Sequence, residues 1–374
     1  MRGVQAAQLR DDEEQVQHQG APGVEEVLPL VPYAHATQRD ALERLRSRQF
    51  GPALGPALLD EPSLPHMEGT ARVPSPSGLR LNAMTPGDLE GSVIGPVAHR
   101  VDRDRIDAFV QATGDDPGRW IAHAPPGYAS VLLFSVAGVL LNDARIGPYL
   151  STLIHVDQQF AYFGAFDIDS EIQVTGIVER VRERAGAFFV TFTASGTAHD
   201  EVMFESHSTF LMSDQAAADS VIDRSEPAVG QRGPNEVAPA MQPVEIGQVS
   251  SMAKSASRSD LVRYSSATRD FNPLHWDHAS ARSAGLDGVV VHGLLMLSWM
   301  VQQASAFAAG SAPVASIKVR FRSALGPAVP ALVESTATEI SPDGSEAKLL
   351  LKVKADGADV VTGNAVVHLA QVTP

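Results

Sequence analysis

Residues Tyr264–Trp299 read YSSATRDFNPLHWDHASARSAGLDGVVVHGLLMLSW. Asp270, Asn272 and His275 crowd into one short run within it, and Pro273 stiffens the loop that carries them. A carboxylate and an imidazole that close together form a general acid–base pair if both face a pocket. Further along, His292 and Gly293 open an apolar segment that reads as a buried helix to about Phe307. The first amides of a helix have no internal partners, so the Gly293 amide is a candidate donor to an oxyanion.

On the C-terminal side of this stretch, strands are expected at Ala315–Ser323, Ala331–Ile340, Glu346–Ala355 and Asp359–Gln371. On its N-terminal side come a short strand at Glu245–Val249 and a helix at Arg258–Thr268, and a further short helix is expected near Asp277–Ala284. The same order occurs earlier in the chain. Apolar residues at 101, 106, 109 and 110 mark a helical face, Thr113–Trp120 is rich in turn residues, and Gly127–Asn142 is almost wholly apolar. Strands are expected after it at Leu153–Phe163, Glu171–Arg182, Ala187–Ser195 and Val202–Met212.

A helix that is apolar on every side must be buried all round, and a sheet curled about it is the means. The repeated pattern therefore predicts an α+β double hot-dog fold: two curled antiparallel sheets, each wrapped around a long apolar helix. The divisions are an N-terminal extension at 1–85, partly disordered and with a helix only at Ala36–Phe50, and a first repeat at 86–213. A linker at 214–242 and the catalytic repeat at 243–374 complete the chain.

The 374 residues, 44% hydrophobic and 20% charged, fit an ordinary globular protein with a sizeable core. A formal net charge of −15 argues against nucleic acid as a partner. With no cysteine there are no disulfides, thiolate nucleophiles or cysteine-held metals, which agrees with a reducing cytoplasm. Acidic Asp11–Glu14 stand where a signal peptide would need apolar residues, and the apolar run Gly288–Val301 is interrupted by His292, so neither a leader nor a membrane span is expected. Serine-hydrolase, P-loop and dinucleotide-binding motifs are absent.

Asp270-Phe-Asn-Pro-Leu-His275, the later Gly285 and Val291-His-Gly-Leu-Leu295 resemble the signature of MaoC-like (R)-specific enoyl-CoA hydratases and (3R)-hydroxyacyl-thioester dehydratases. The resemblance implies syn addition of water across a trans-2-enoyl thioester, or its reverse, without a cofactor. It makes Asp270 and His275 the catalytic dyad, Asn272 the residue that orients the dyad or the water, and Gly293 the donor that polarises the thioester carbonyl. His292, Arg269, Met296, Lys318 and Arg320 are candidate contacts to a coenzyme A or acyl-carrier-protein thioester. Two departures stand out. Thr268-Arg269 replaces the usual Ser-Gly, which puts a cation beside Asp270 that could lower its pKa. The first repeat has Thr113-Gly-Asp-Asp-Pro but no Asn-Pro-x-His, so it is expected to lack a dyad and to supply a tunnel and packing instead.

Simpler readings of the same residues stand beside these. Asp270, Asn272 and His275 could merely cap the next helix in an Asx-type turn, and His292 could fix the loop by hydrogen bonds. His275, Asp277 and His278 suggest no fourth metal ligand, so no metal is expected. Lys318, Arg320 and Arg322 alternate with Ile317, Val319 and Phe321, the pattern of a solvated sheet face, as do Arg180, Arg182 and Arg184. A hot-dog thioesterase or a non-catalytic acyl-thioester-binding subunit is the alternative function. Pairing within one chain permits either a monomer or a homodimer.

Overall fold

The computed structural model describes residues 85–213, 233–241 and 243–370. The expected helix at Ala36–Phe50 and most of the expected linker lie outside them. The first half runs β1 (Val93–Arg100), α1 (Arg103–Thr113), β2 (His123–Ala124), α2 (Ala129–Leu141), β3 (Ile154–Tyr162), β4 (Phe166–Asp167), β5 (Glu171–Arg184), β6 (Ala187–Ala198) and β7 (Glu201–Ser213). The second half runs β8 (Val249–Lys254), α3 (Arg258–Thr268), α4 (His278–Ser283), α5 (Gly293–Ser305), β9 (Val314–Phe321), β10 (Ala331–Ile340), β11 (Glu346–Ala355) and β12 (Ala358–His368).

The sheet order is β1-β5-β6-β7-β3-β9-β12-β11-β10-β8, every pairing antiparallel. Read inward from either end, it is the same five-strand topology twice. The two curled sheets of the double hot dog meet where β3 pairs with β9, Phe160 opposite Ile317, and so form one continuous ten-stranded sheet. Each half packs its sheet against its own apolar helix. In α2, Leu132, Leu133, Val136 and Ala137 are wholly buried, and in α5 so are Leu295, Leu297, Met300 and Ala304. Burying a side chain of leucine or methionine size contributes about 1.5–3 kcal/mol, so these two helices anchor the fold.

The halves also match in detail. Asp102 and Ser257 cap α1 and α3 by accepting from Arg105 N and Asp260 N. Thr113 and Thr268 close the two helices with Oγ1 donated back to Phe109 O (2.9 Å) and Tyr264 O (2.7 Å). The next residue is left-handed in both, Gly114 at φ 64 and Arg269 at φ 66.

Two expectations need correction. The first half has five strands in the main sheet, one more than the four expected, because β1 does not read as a strand. Gly95-Pro96 interrupts its alternation and the register shifts between Ile94 and Val97, which an edge strand tolerates. The short strand expected at Glu245–Val249 is largely a turn, closed by Gln248 N to Glu245 O with Gly247 at φ 85; β8 starts only at Val249. No helix among the described residues is long and apolar enough to cross a membrane.

Candidate active site

The left-handed turn at Arg269 reverses the chain as α3 ends and sets Asp270 into the interior. Asp270 N donates to Thr268 Oγ1 (3.3 Å), and the Asp270 carboxylate accepts from Asn272 N (3.3 Å). Asn272 then works at both ends: Oδ1 accepts from Leu274 N (3.2 Å), and Nδ2 donates to Leu153 O of the first half (3.2 Å). Asn272 is thus a brace that ties the loop across the two halves. Pro273–His275 form one 3-10 turn, which delivers His275 beside Asp270.

His275 Nδ1 lies 2.8 Å from Val290 O. A carbonyl only accepts, so Nδ1 carries the hydrogen and the neutral ring keeps a bare lone pair on Nε2. One ligand-type atom each of Asp270, His275 and His292 lies within 4.8 Å of the others. Burial raises the Asp270 pKa, against the pull of His275 and the Asn272 amide. Burial lowers that of His275, against Asp270 and the Val290 carbonyl. The two groups are driven toward each other, as a pair that must both take and give a proton requires.

The dyad opens onto a cavity of about 270 Å³. Gly293 lines it at the first position of α5, where the amide has no partner within the helix. A Cβ there would stand 3.1 Å from the Phe321 ring, so only glycine leaves this approach open. The other walls are mostly apolar, and Phe134, Leu141, Leu153, Val156 and Phe210 come from the first half.

Asp270, Asn272, His275, Gly293 and Met296 therefore meet at one cavity, and four of the expected contacts do not. His292 is wholly buried behind His275 and does not line the cavity. Arg269 is exposed outside it, and its charge is felt at His99 and Tyr128 rather than at Asp270. The expected lowering of Asp270 by Arg269 is therefore overturned. Lys318 and Arg320 stand on the other face of β9 from inward Ile317 and Val319; Arg322, next in that row, does line the cavity and donates Nε to Thr362 Oγ1 (3.0 Å). His155, Phe210 and Phe321 at this wall were not foreseen, because the long-range pairings of β3 with β7 and with β9 bring their strands together. Tyr264 and Ser265, six and five residues before Asp270 on α3, supply the groups that hold His292.

A metal is poorly served here. His275 and His292 stack face to face at 3.7 Å with planes 25° apart, so their in-plane lone pairs run side by side instead of converging. Asp277 is engaged in capping α4, and His278 Nδ1 accepts from Val289 N.

The first half holds the counterpart of this loop with different chemistry. Asp115 follows the left-handed Gly114 as Asp270 follows Arg269, and Trp120 stands five residues on, as His275 does. Trp120 Nε1 donates to Asp115 Oδ2 (2.9 Å), and the wholly buried Lys254 donates to Gly114 O (2.7 Å). An indole N–H only donates, so this pair cannot exchange protons as a dyad does.

A family profile described as the MaoC like domain matches residues 240–328. An (R)-specific enoyl-CoA hydratase of Aeromonas caviae is 30% identical over 132 residues, 34% of this chain and 97% of that protein. Among solved structures, a MaoC-like dehydratase shares 20% identity at a TM-score of 0.63, covering 75% of this chain and 99% of the other. A Mycobacterium tuberculosis protein with a double hotdog fold shares 14% identity at a TM-score of 0.52, covering 75% of this chain and 96% of its own. With its fold, its loop signature and a relative matched over almost its whole length, this chain belongs to the MaoC-like dehydratase family.

Proposed function

We propose that this protein is an (R)-specific hydratase/dehydratase that interconverts trans-2-enoyl and (3R)-hydroxyacyl thioesters. The observation that carries the reading is the convergence of Asp270, His275 and the Gly293 amide on one apolar-walled cavity. Hydration needs a proton removed from water and another delivered to Cα, while negative charge gathers on the thioester oxygen. Asp270 and His275 hold the water and exchange the two protons. The Gly293 amide, fixed at the start of α5, receives the enolate oxygen, a contribution of about 3 kcal/mol for a preorganised donor. Asn272 keeps the loop in register, and Arg322 is placed to meet a phosphate of the thioester carrier, coenzyme A or acyl-carrier protein.

The acyl chain occupies the part of the cavity walled by the first half, and no cofactor takes part. Both halves of the usual hot-dog pair lie in one chain, so a monomer suffices and a homodimer is compatible. The cysteine-free composition suits a cytoplasmic setting in fatty-acid or polyketide-type metabolism. The test is incubation with short and medium trans-2-enoyl-CoAs, with chiral product analysis and thiol titration. The reading expects the (3R)-hydroxyacyl thioester with its thioester bond intact. Release of free thiol would instead establish a thioesterase.

A further inference from the structure

The cluster of Asp270, His275 and His292 holds one titratable ring more than a two-group proton exchange consumes. His292 is wholly buried, precedes α5 and lies outside the cavity wall, so it does not reach a substrate. Its ring stacks on that of His275 with centroids 3.7 Å apart and planes 25° apart. Two neighbours on α3 fix it: Ser265 Oγ lies 3.0 Å from its Nε2, and the Tyr264 ring is 4.8 Å away. His275 has one in-plane tether, Nδ1 to Val290 O, about which its ring could otherwise rock.

We propose that His292 is a positioning residue for the reaction, a neutral plate against which His275 lies. On the hydratase/dehydratase reading, the plate holds His275 Nε2 to the cavity and offers a π face to the imidazolium formed when that nitrogen takes a proton. The surroundings keep the plate uncharged. Burial, and then the charge of His275, push the His292 pKa well below its ordinary value. The groups that face the stack are Asp270 and His275 from the loop, Tyr264 and Ser265 from α3, and His155 from β3. Burial drives Tyr264 up and His155 down, so both stay neutral, which leaves Asp270 and His275 as the groups that exchange the proton.

The experiment compares wild type with His292→Ala, His292→Phe and Ser265→Ala in the full chain. It follows kcat and KM for a short trans-2-enoyl-CoA from about pH 5 to about pH 9, with a thermal melt of each variant. The Ala variant is expected to lose about 10–100-fold in kcat at nearly constant KM, as for a displaced catalytic group. Its acid limb should move to lower pH, because the imidazolium has lost its π face. The Phe variant should recover most of kcat, and Ser265→Ala should fall between. Folded Ala and Phe variants with wild-type kcat and an unmoved acid limb would overturn the proposal, as would a Phe variant as impaired as the Ala variant. If wild type turns over no enoyl thioester, the reaction reading fails separately. The stacking is then judged by NMR titration of His275, whose pKa must fall in His292→Ala; an unchanged value rejects it.

Discussion

Replacing His155 by phenylalanine should make this protein more resistant to acid. The imidazole lies in β3 with Phe210 and Phe321 at ring-centroid distances of 4.7 and 5.2 Å, so a phenyl ring keeps the packing. Burial lowers its pKa from 6.5 to about 4, opposed only in part by Gln158 and the Asp157 backbone. The folded value lies below the unfolded one, so His155 costs nothing above pH 6.5; below it, the unfolded chain binds a proton that the folded chain refuses. Stability drains away down to about pH 4, where the folded ring also titrates. A gap of that size is worth about 3 kcal/mol in full, of which about 2 kcal/mol is lost by pH 5. Urea denaturation of wild type and His155→Phe at neutral pH and at pH 5 isolates this group. His99, also lowered to about 4, is common to both proteins and cancels. The variant should gain about 2 kcal/mol on wild type between the two conditions. A stability difference that does not change with pH would refute the picture of a half-buried, neutral imidazole.

Arg269→Gly should stabilise the protein by about 0.5–1 kcal/mol in a thermal or urea melt: a left-handed L-residue costs about 1–2 kcal/mol, and glycine returns part of that as chain entropy. Asn272→Ala removes the bonds to Leu153 O and Leu274 N, so it should cost about 1–3 kcal/mol of stability and lower kcat more than it raises KM. Gly293→Ala places a methyl group 3.1 Å from the Phe321 ring, which must then give way toward the cavity. A loss of about tenfold or more in kcat/KM without unfolding is expected, measurable by steady-state kinetics.

What could be read from the sequence was local. The α3 limits, the β10 and β11 limits and the apolar helices α2 and α5 followed from periodicity and turn residues, because each is specified within its own segment. The repeat was legible for the same reason, since two all-apolar helices each demand an enclosing sheet. β1 escaped because Gly95-Pro96 hides its alternation, and the cavity wall escaped because the pairing of β3 with β9 spans well over a hundred residues. At the site, the spacing of Asp270, Asn272 and His275 brought them together as expected. The direction in which Arg269 sends its charge depends on the left-handed turn. The burial of His292 behind His275 depends on how α3 and α5 pack, and neither fact is written in nearby residues. The vestigial loop shows the same limit. Asp115 and Trp120 become a recognisable counterpart of Asp270 and His275 only when both left-handed turns are seen.

The most direct test is the rate at which trans-2-enoyl-CoA absorbance disappears with wild type, Asp270→Asn and His275→Ala, each confirmed folded. If the pair exchanges the protons of hydration, wild type turns the substrate over and each variant loses about 10²–10⁴-fold in kcat, with the thioester intact throughout. Variants that keep rates within a few-fold of an active wild type would contradict the assignment of this dyad.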